Sequence, residues 1–258
     1  MIGRIRCIAF NTFREAVRDR VLYNLIVFAL LLIGSSLVLG QISIGIEKIV
    51  LVNLGLTAIS IFGVVIAIFI GIGLVSKEID KKTLYTVLAR PVKRWEFIVG
   101  KFAGLIGTLS VNAGLMALGF FAALLFEQHK FEQTDVYLLA ALYFILLEFV
   151  IVTAVAVLFS SFSTPLFSTI FSFALFAVGT FGDDLRGFAA TTHGLTKFAL
   201  TAAAYLVPNL STFNVISLVA HDQPVMGRLI ALNTLYAVCY STLVVTGAVL
   251  IFERRNLK

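Results

Sequence analysis

Long apolar runs separated by short polar segments dominate the pattern of the chain. A helix needs about 20 residues to cross a hydrocarbon core of about 30 Å. Five runs reach that length, near residues 21 to 40, 54 to 75, 102 to 126, 137 to 159 and 229 to 252. A sixth, near 165 to 182, is at the short limit and begins at Pro165, a favourable first helical position. The pattern predicts an all-α integral membrane protein with six transmembrane helices.

Two further segments have helical character without predicting a crossing. Residues 1 to 20 place apolar side chains at helical spacing between arginines, which predicts an amphipathic interfacial helix that braces the first span. Residues 183 to 228, between spans five and six, are long and partly apolar, and Pro208 interrupts them. Because too few apolar residues precede this proline to span a bilayer, we expect re-entrant helices in the outer leaflet and no seventh crossing.

Composition and charge agree with this class and orient the chain. Hydrophobic residues make up 60% of the sequence and charged residues 13%, far from the balance of a soluble protein. With six spans, one side receives 15 of the 20 Lys and Arg residues: five before residue 21, seven from Lys77 to Lys101, and Arg254, Arg255 and Lys258. The positive-inside rule therefore predicts that both termini are cytoplasmic. We interpret residues 1–258 as one multi-pass domain in the cell inner (plasma) membrane. The net charge of +6 then reflects topology, and no nucleic acid partner is expected.

The basic residues are most concentrated between spans two and three, in residues 77–101. Residues 77 to 90 predict a short amphipathic helix whose apolar face consists of Ile79, Thr83, Leu84, Val87 and Leu88. Pro91 ends this helix and suits the first turn of the next, while Trp95 is placed as an interfacial anchor. The segment is thus predicted to be a rigid cytoplasmic elbow.

The order of residues in this elbow resembles a known signature. Glu78, Thr83, Leu88, Pro91, Arg94, Gly100 and Lys101 follow the pattern E-x4-T-x4-L-x2-P-x2-R-x5-G-K. This pattern is similar to the one that follows the second span in permeases of ABC-2 type transporters, and the plan of six spans with a long outer segment resembles that family too. Within the family the chain looks closest to permeases grouped with multi-copper enzyme maturation systems. It departs from the family at Lys82 and Tyr85, where glycine and an acidic residue are common.

The resemblance implies that the elbow is a coupling helix that docks on an ATPase. The candidate ATPase-coupling residues are Glu78, Thr83, Leu84, Leu88, Pro91, Arg94 and Lys101. The chain has no G-x4-G-K-[ST] phosphate loop; we therefore expect it to bind no cofactor, with ATP and Mg held by two copies of a separate ABC ATPase subunit. Six spans are half of the dozen that the family implies for a complete path. Two copies of the chain or two related permeases are therefore expected to pair, with a homodimer favoured, and the resemblance implies export by alternating access at the dimer interface.

Glu148 is the only carboxylate well inside a predicted span. An ionised group there costs roughly 2.5 to 3.5 kcal/mol on insertion scales, so Glu148 should face protein or water. It is a candidate for the translocation path, and a structural hydrogen bond is the alternative. Along span three, Gly100, Gly104, Gly107, Gly114 and Gly119 permit close helix approach, either within the chain or between copies.

Two other function classes, a membrane-embedded enzyme and a passive channel, are the alternatives to the permease. A membrane-embedded enzyme is not favoured, because the sequence contains no H-E-x-x-H helix and no G-x-S-x-G elbow. A passive channel would need a selectivity filter or a charged pore ring, and neither is evident. No metal site is predicted either, since Asp183, Asp184, His193, His221 and Asp222 are irregularly spaced and suit a solvated loop better than a ligand set.

Overall fold

The computed structural model describes residues 2–42, 45–80, 93–130, 132–191, 194, 197–198, 201 and 207–254. Over these residues the chain is helical and contains no strand. The helices are α1 (Ile2–Val17), α2 (Arg20–Ile42), α3 (Glu47–Asp80), α4 (Arg94–Gln128), α5 (Val136–Phe162), α6 (Pro165–Thr180), α7 (Gly182–Thr191), α8 (Ile216–Ala220) and α9 (Gly227–Arg254). Short 3-10 turns occur at Gln133–Asp135 and Ser211–Phe213.

The five long apolar runs of the sequence all form helices that can cross a membrane. These are α2, α3, α4, α5 and α9, each long and apolar enough to span. The sixth predicted span begins with Pro165 in the first turn of α6, as expected, but it does not continue as a straight helix. A bend of 64° separates Pro165–Thr180 from Gly182–Phe188, so the described residues contain six crossings only if this bent pair counts as one.

Helices α3 and α5 form the centre of the bundle, and α2 and α9 lie at its edge. The spanning parts of α3 and α5 are the most buried, whereas most of α2 and α9 is exposed. Gly63 of α3 lies against the ring of Phe149 of α5, so close that a Cβ atom could not be added there. The many exposed leucine, valine and phenylalanine side chains of α2 and α9 are those expected of helices that face lipid.

The N-terminal helix α1 packs along α4. Ile8 lies against Gly100, and Ala9 and Thr12 lie against Gly104. The expectation that α1 braces the first span, α2, is therefore wrong. It braces the third span, because the glycines of α4 leave a channel into which the apolar face of α1 fits.

Residues 207 to 220 return from the bent pair into the helix bundle. The Leu210 N–H donates to the carbonyl oxygen of Gly179 at 3.0 Å, which satisfies a backbone group freed at the bend. The ring centroid of Phe213 lies 6.2 Å from that of Phe144, which is about 12 Å along α5 from its first residue. This part of the predicted outer segment therefore folds back among α5, α6 and α9. Much of the segment between 192 and 206 lies outside the described residues.

Candidate functional site

A charged junction forms where the start of α4, the last turn of α9 and helix α1 meet; we call it the basal junction. Arg94 is the first residue of α4, and its Nη1 atom donates to the carbonyl oxygens of Phe252, at 3.2 Å, and Glu253, at 3.0 Å. The rings of Phe97 and Phe252 stack beside this contact with centroids 6.0 Å apart. Since the last carbonyls of a helix have no partner within the helix, Arg94 acts as a side-chain cap for α9.

Glu96 is the acidic group at the centre of the basal junction. Its side chain is almost fully buried, yet it accepts a hydrogen bond from the backbone N–H of Lys93 at 3.0 Å. The Arg4 guanidinium of α1 lies 4.0 Å away. A buried carboxylate requires such partners, and this one therefore fixes both the first turn of α4 and the position of α1.

Lys101 makes the second ionic contact between α4 and α1. Its side chain is only 2% exposed, and its Nζ atom lies 3.7 Å from Oε2 of Glu15. The same ammonium lies 5.7 Å from the ring centroid of Phe97, within range of a cation–π interaction. Lys101 therefore acts inside the chain, between two helices, and does not present its charge at the surface.

The glycines of α4 make these contacts possible. A Cβ atom on Gly100 would lie 2.7 Å from Ile8, and one on Gly104 would lie 2.5 Å from the carbonyl oxygen of Ala9. Gly119 contacts Leu30 of α2, whereas Gly114 has no atom within 4 Å of such a Cβ position. Close approach within the chain thus accounts for Gly100, Gly104 and Gly119, whereas a Cβ atom on Gly107 would make only an ordinary contact with Phe13 and Gly114 is open.

The structure describes only part of the predicted coupling set. Thr83, Leu84, Leu88 and Pro91 lie outside the described residues. Glu78 belongs to the last turn of α3, which continues without a break to Asp80, so residues 77 to 80 extend the second span. The remaining two, Arg94 and Lys101, are brought together in the basal junction, and the ATPase-coupling assignment of the whole set stays a prediction.

Glu148 is directed toward a neighbouring helix. The Ser60 hydroxyl of α3 donates to Oε2 of Glu148 at 2.9 Å, across the most buried helix pair of the bundle. The sequence correctly placed this carboxylate against protein. Its polar partner was not predicted, because a single serine within an apolar run carries no periodic pattern.

Four charged residues form a cluster at the other end of the bundle, which we call the Lys48 cluster. The Nζ atom of Lys48 lies 2.7 Å from Glu132, 3.2 Å from Asp135 and 2.8 Å from Asp222. It thereby ties the start of α3 to the turn before α5 and to the turn before α9. Burial by itself raises the pKa of Asp222, but hydrogen bonds from Lys48 and Thr134 outweigh burial and hold that pKa below its usual value.

Sequence reasoning missed both clusters as units. Glu96, three residues after Lys93, occupies the position of a capping-box acid, but Lys93 is not the serine or threonine that would make such a box recognisable in the sequence. The Lys48 cluster joins residues up to 174 positions apart, and no local pattern indicates such a contact. Among the described residues, no group of three or more His, Cys, Asp or Glu side chains is arranged to hold a metal ion.

The helices and their arrangement define a multi-pass membrane protein. Comparison with known families identifies its family, because the family model described as ABC-2 family transporter protein matches residues 6–257. The chain belongs to this family, which confirms the resemblance seen in the elbow residues. It is the membrane-spanning permease subunit of an ABC transporter, and membership of the family implies a partner ABC ATPase. No curated protein matched the sequence, and the finer placement with multi-copper enzyme maturation permeases stays a prediction.

Proposed function

We propose that this permease exports its substrate by alternating access at the interface of two copies of the chain. Two separate ATPase subunits bind ATP and Mg and supply the driving force. The match to the ABC-2 family over nearly the whole chain is the observation that carries the proposal. The spanning helices give one copy about half of the dozen that the family plan implies, which supports pairing with a second permease chain.

The elbow at 77–101 is the proposed docking element for the ATPase. It connects α3 to α4, and its last residues form the basal junction. Because Arg94 binds the end of α9 while Glu96 and Lys101 bind α1, a push on the elbow would move three helices together. Closure of the ATPase subunits on ATP would in this way tilt α1, α4 and α9 as one unit.

The proposed translocation path passes near Glu148. An ionisable group in a spanning helix is expensive unless it serves a pathway or finds a partner. Glu148 reaches only one side-chain hydroxyl, that of Ser60, among the described residues. Because only one described hydrogen bond offsets the cost of placing this carboxylate in a spanning helix, we assign it a role in contacting a polar substrate or in gating the path.

The proposed orientation puts the basal junction in the cytoplasm and the Lys48 cluster outside, in a cell inner membrane. It is supported by the positive-inside rule, since 15 of the 20 Lys and Arg residues precede the first predicted span, lie between the second and third spans or follow the last span. Helix α1 then lies at the inner leaflet. The test is labelling of single cysteines by an impermeant reagent in sealed cells, after replacement of the exposed Cys7 and Cys239. Position 82 should be protected and position 224 labelled; rapid labelling at 82 would overturn the orientation.

Two substitutions in the elbow test the coupling role itself. Pro91→Ala would relax the predicted corner, and Leu84→Asp would place a charge on the predicted apolar face. Changes of this kind commonly cost on the order of 1 to 3 kcal/mol, which is small for a multi-span protein but shifts a docking equilibrium tenfold or more.

We expect both elbow variants to insert and dimerise while losing ATPase binding or coupled hydrolysis. Copurification of the ATPase and hydrolysis in reconstituted membranes measure the two effects. Lys130→Ala, a change of an exposed lysine at the opposite end of the chain's helices, is the control and should leave both unchanged. Normal binding and coupling in both elbow variants would contradict the assignment of the coupling helix.

A further inference from the structure

A groove of about 590 Å³ runs along the contact between α1 and α4. Its lining includes Arg6, Phe10 and Phe13 from α1, and Ala103, Gly104 and Gly107 from α4. The groove exists because two of the three α4 residues have no side chain. A Cβ atom on Gly107 would meet only the ring of Phe13, at 3.7 Å, so the floor at that point is open.

The rim of the groove is basic and aromatic. Arg6 and Phe10 line the groove, and Arg14 follows Phe10 at the same interval of four residues, so the three share one face of α1. Phe10 is 67% exposed, and both arginines are exposed as well. Neither arginine lies within ion-pair distance of a carboxylate in the described part of the chain, whereas Arg4, on another face of α1, pairs with Glu96.

The depth of the groove matches the boundary of a bilayer. Helix α4 has 35 residues and is about 52 Å long, so it extends well beyond a hydrocarbon core of about 30 Å. Helix α1 rises along this extension, from Ile8 at Gly100 to Phe13 at Gly107. The membrane-spanning part of α2 then begins at Leu22. The groove therefore lies where headgroups give way to acyl chains.

We propose that this groove binds an anionic phospholipid of the adjacent leaflet. Arg6, which lines the groove, holds the phosphate, since guanidinium groups form paired hydrogen bonds with phosphate oxygens. Arg14, about 12 Å further along the same face of α1, adds positive charge beside the groove. An acyl chain lies over Phe10 against the glycine floor. Basic amphipathic helices are attracted to anionic lipids in this manner. Only the naming of the leaflet as cytoplasmic rests on the proposed function.

Charge argues against the other occupants of such a groove. A second copy docked by two-fold symmetry would bring an identical set of arginines to the same surface, and like charges across an interface are unfavourable. A soluble partner would have to reach apolar residues at the membrane boundary beside the start of a spanning helix. An anionic lipid already present in the leaflet can place its phosphate beside the positive charge and an acyl chain against the apolar floor.

The experiment places a fluorescent reporter in the groove. Trp95 is the only tryptophan, so Phe10→Trp in a Trp95→Phe background gives a single signal from the rim. The protein is reconstituted in nanodiscs of a neutral lipid, and brominated phosphatidylglycerol or brominated phosphatidylcholine is added as a short-range quencher. We expect an apparent affinity for the anionic lipid that is about fivefold higher or more, the size expected for one or two arginine contacts.

Matched variants separate binding in the groove from general attraction to the membrane. Arg6→Gln with Arg14→Gln should abolish the preference, and Gly107→Leu should reduce quenching by filling the floor. Arg228→Gln, at an exposed arginine in the first turn of α9 at the other end of the bundle, should retain it. High salt should weaken the preference of the reporter protein that keeps both arginines, which provides a reading that does not depend on any arginine variant folding.

Three results would overturn the proposal. The first is equal quenching by the two lipids in the reporter protein, and the second is a preference that survives loss of both arginines. The third is a reporter that brominated lipid does not quench but that shifts to shorter wavelength when the ATPase subunit is added, which would assign the groove to a protein partner. Because the measurement needs no ATP and no transport, its failure would leave the proposed function standing.

Discussion

The guanidinium of Arg94 donates a hydrogen bond to the carbonyl oxygen of Phe252 at 3.2 Å, which joins the first residue of α4 to the last turn of α9. The two residues lie 158 positions apart in the sequence. Arg94 belongs to the pattern that resembles the ABC-2 elbow signature, yet its described contacts are with this chain's own last span. We infer that it transmits movement of the elbow instead of contacting the ATPase.

Replacing Arg94 therefore separates transmission from docking. Arg94→Gln cannot form two charge-assisted hydrogen bonds with the carbonyls of α9, so it should weaken the link between α4 and α9 by about 1 to 3 kcal/mol. We expect the ATPase to copurify normally while coupling of hydrolysis to transport falls. Lys93→Gln, at an exposed neighbour whose described hydrogen bonds use its own backbone N–H and carbonyl and not its side chain, is the control. Loss of ATPase copurification in Arg94→Gln alone would instead place Arg94 in the docking surface.

The sequence predicted the spanning helices because each depends on local composition. About 20 apolar residues in succession can be satisfied in a bilayer only as a helix, and α2, α3, α4, α5 and α9 followed from that rule. The bend after Thr180 did not, because the segment that packs against it, with the Leu210 N–H donating to the carbonyl oxygen of Gly179, is distant in the sequence. The expectation that α1 packs against α2 was wrong for a similar reason. The contact of α1 with α4 depends on the glycines of α4, and the sequence does not show whether those glycines contact another helix of the chain or a second copy.

Candidate site residues were predictable only where a single residue is unusual by itself. Glu148 stands out as a carboxylate in an apolar run, and its placement against protein follows from the cost of ionisation in lipid. Glu15, Glu96 and Asp135 do not stand out, because charged residues near helix ends are expected whether or not they pair. Their roles depend on long-range contacts with Lys101, Arg4 and Lys48.

Glu148 should matter for transport more than for folding. Glu148→Gln keeps an oxygen that can accept the hydrogen bond from Ser60, so we expect normal expression and thermal stability. Transport, or hydrolysis stimulated by substrate, should change because the ionisable group is lost. Ser60→Ala is the companion variant: it removes the hydrogen bond at a cost of about 1 kcal/mol while leaving the carboxylate in place. If Glu148→Gln matches the parent in both assays, Glu148 has a structural role only.

Lys48 should be the residue of its cluster on which stability depends most. Lys48→Met would leave three carboxylates together, including that of Asp135, whose side chain is only 4% exposed. Breaking a buried pair by removing one partner costs on the order of 3 kcal/mol, so a clear fall in the thermal midpoint is expected in detergent. Lys130→Met, at an exposed lysine of the same end, should have no such effect. An equal response of the two variants would mean that the Lys48 cluster contributes nothing to stability.

The Asp222 carboxylate makes the contribution of the Lys48 cluster to stability depend on pH. Its pKa in the folded protein is held below the usual value, so its contribution to stability is complete above the ordinary aspartate pKa of about 3.9 and is lost as the pH falls through the lower, folded value. Asp222→Asn should therefore flatten the decline of the unfolding midpoint below about pH 4, without adding stability at neutral pH. The change should be small, because Asp222 is partly exposed to solvent and the carboxylates of Glu132 and Asp135 remain beside the same lysine.

Two glycines of α4 provide a matched pair for testing how α1 is held. A Cβ atom on Gly104 would lie 2.5 Å from the carbonyl oxygen of Ala9, whereas one on Gly114 would meet nothing within 4 Å. Gly104→Ala should force α1 away from α4 at a cost of about 1 to 3 kcal/mol, the range found for overpacked sites. Gly114→Ala should be neutral or stabilising by up to about 1 kcal/mol, since alanine favours the helix interior.

Thermal unfolding of the two glycine variants in detergent gives the first comparison, and the oligomeric state gives the second. Displacement of α1 should also disturb the ion pair of Lys101 with Glu15, so Gly104→Ala is expected to impair coupling to the ATPase as well as stability. Gly114→Ala could weaken a dimer only if this open position lies against a second copy. Equal stability of the two variants would contradict the close packing of α1 on α4, and a selective loss of dimers in Gly114→Ala would assign the fourth glycine of α4 to the interface between copies.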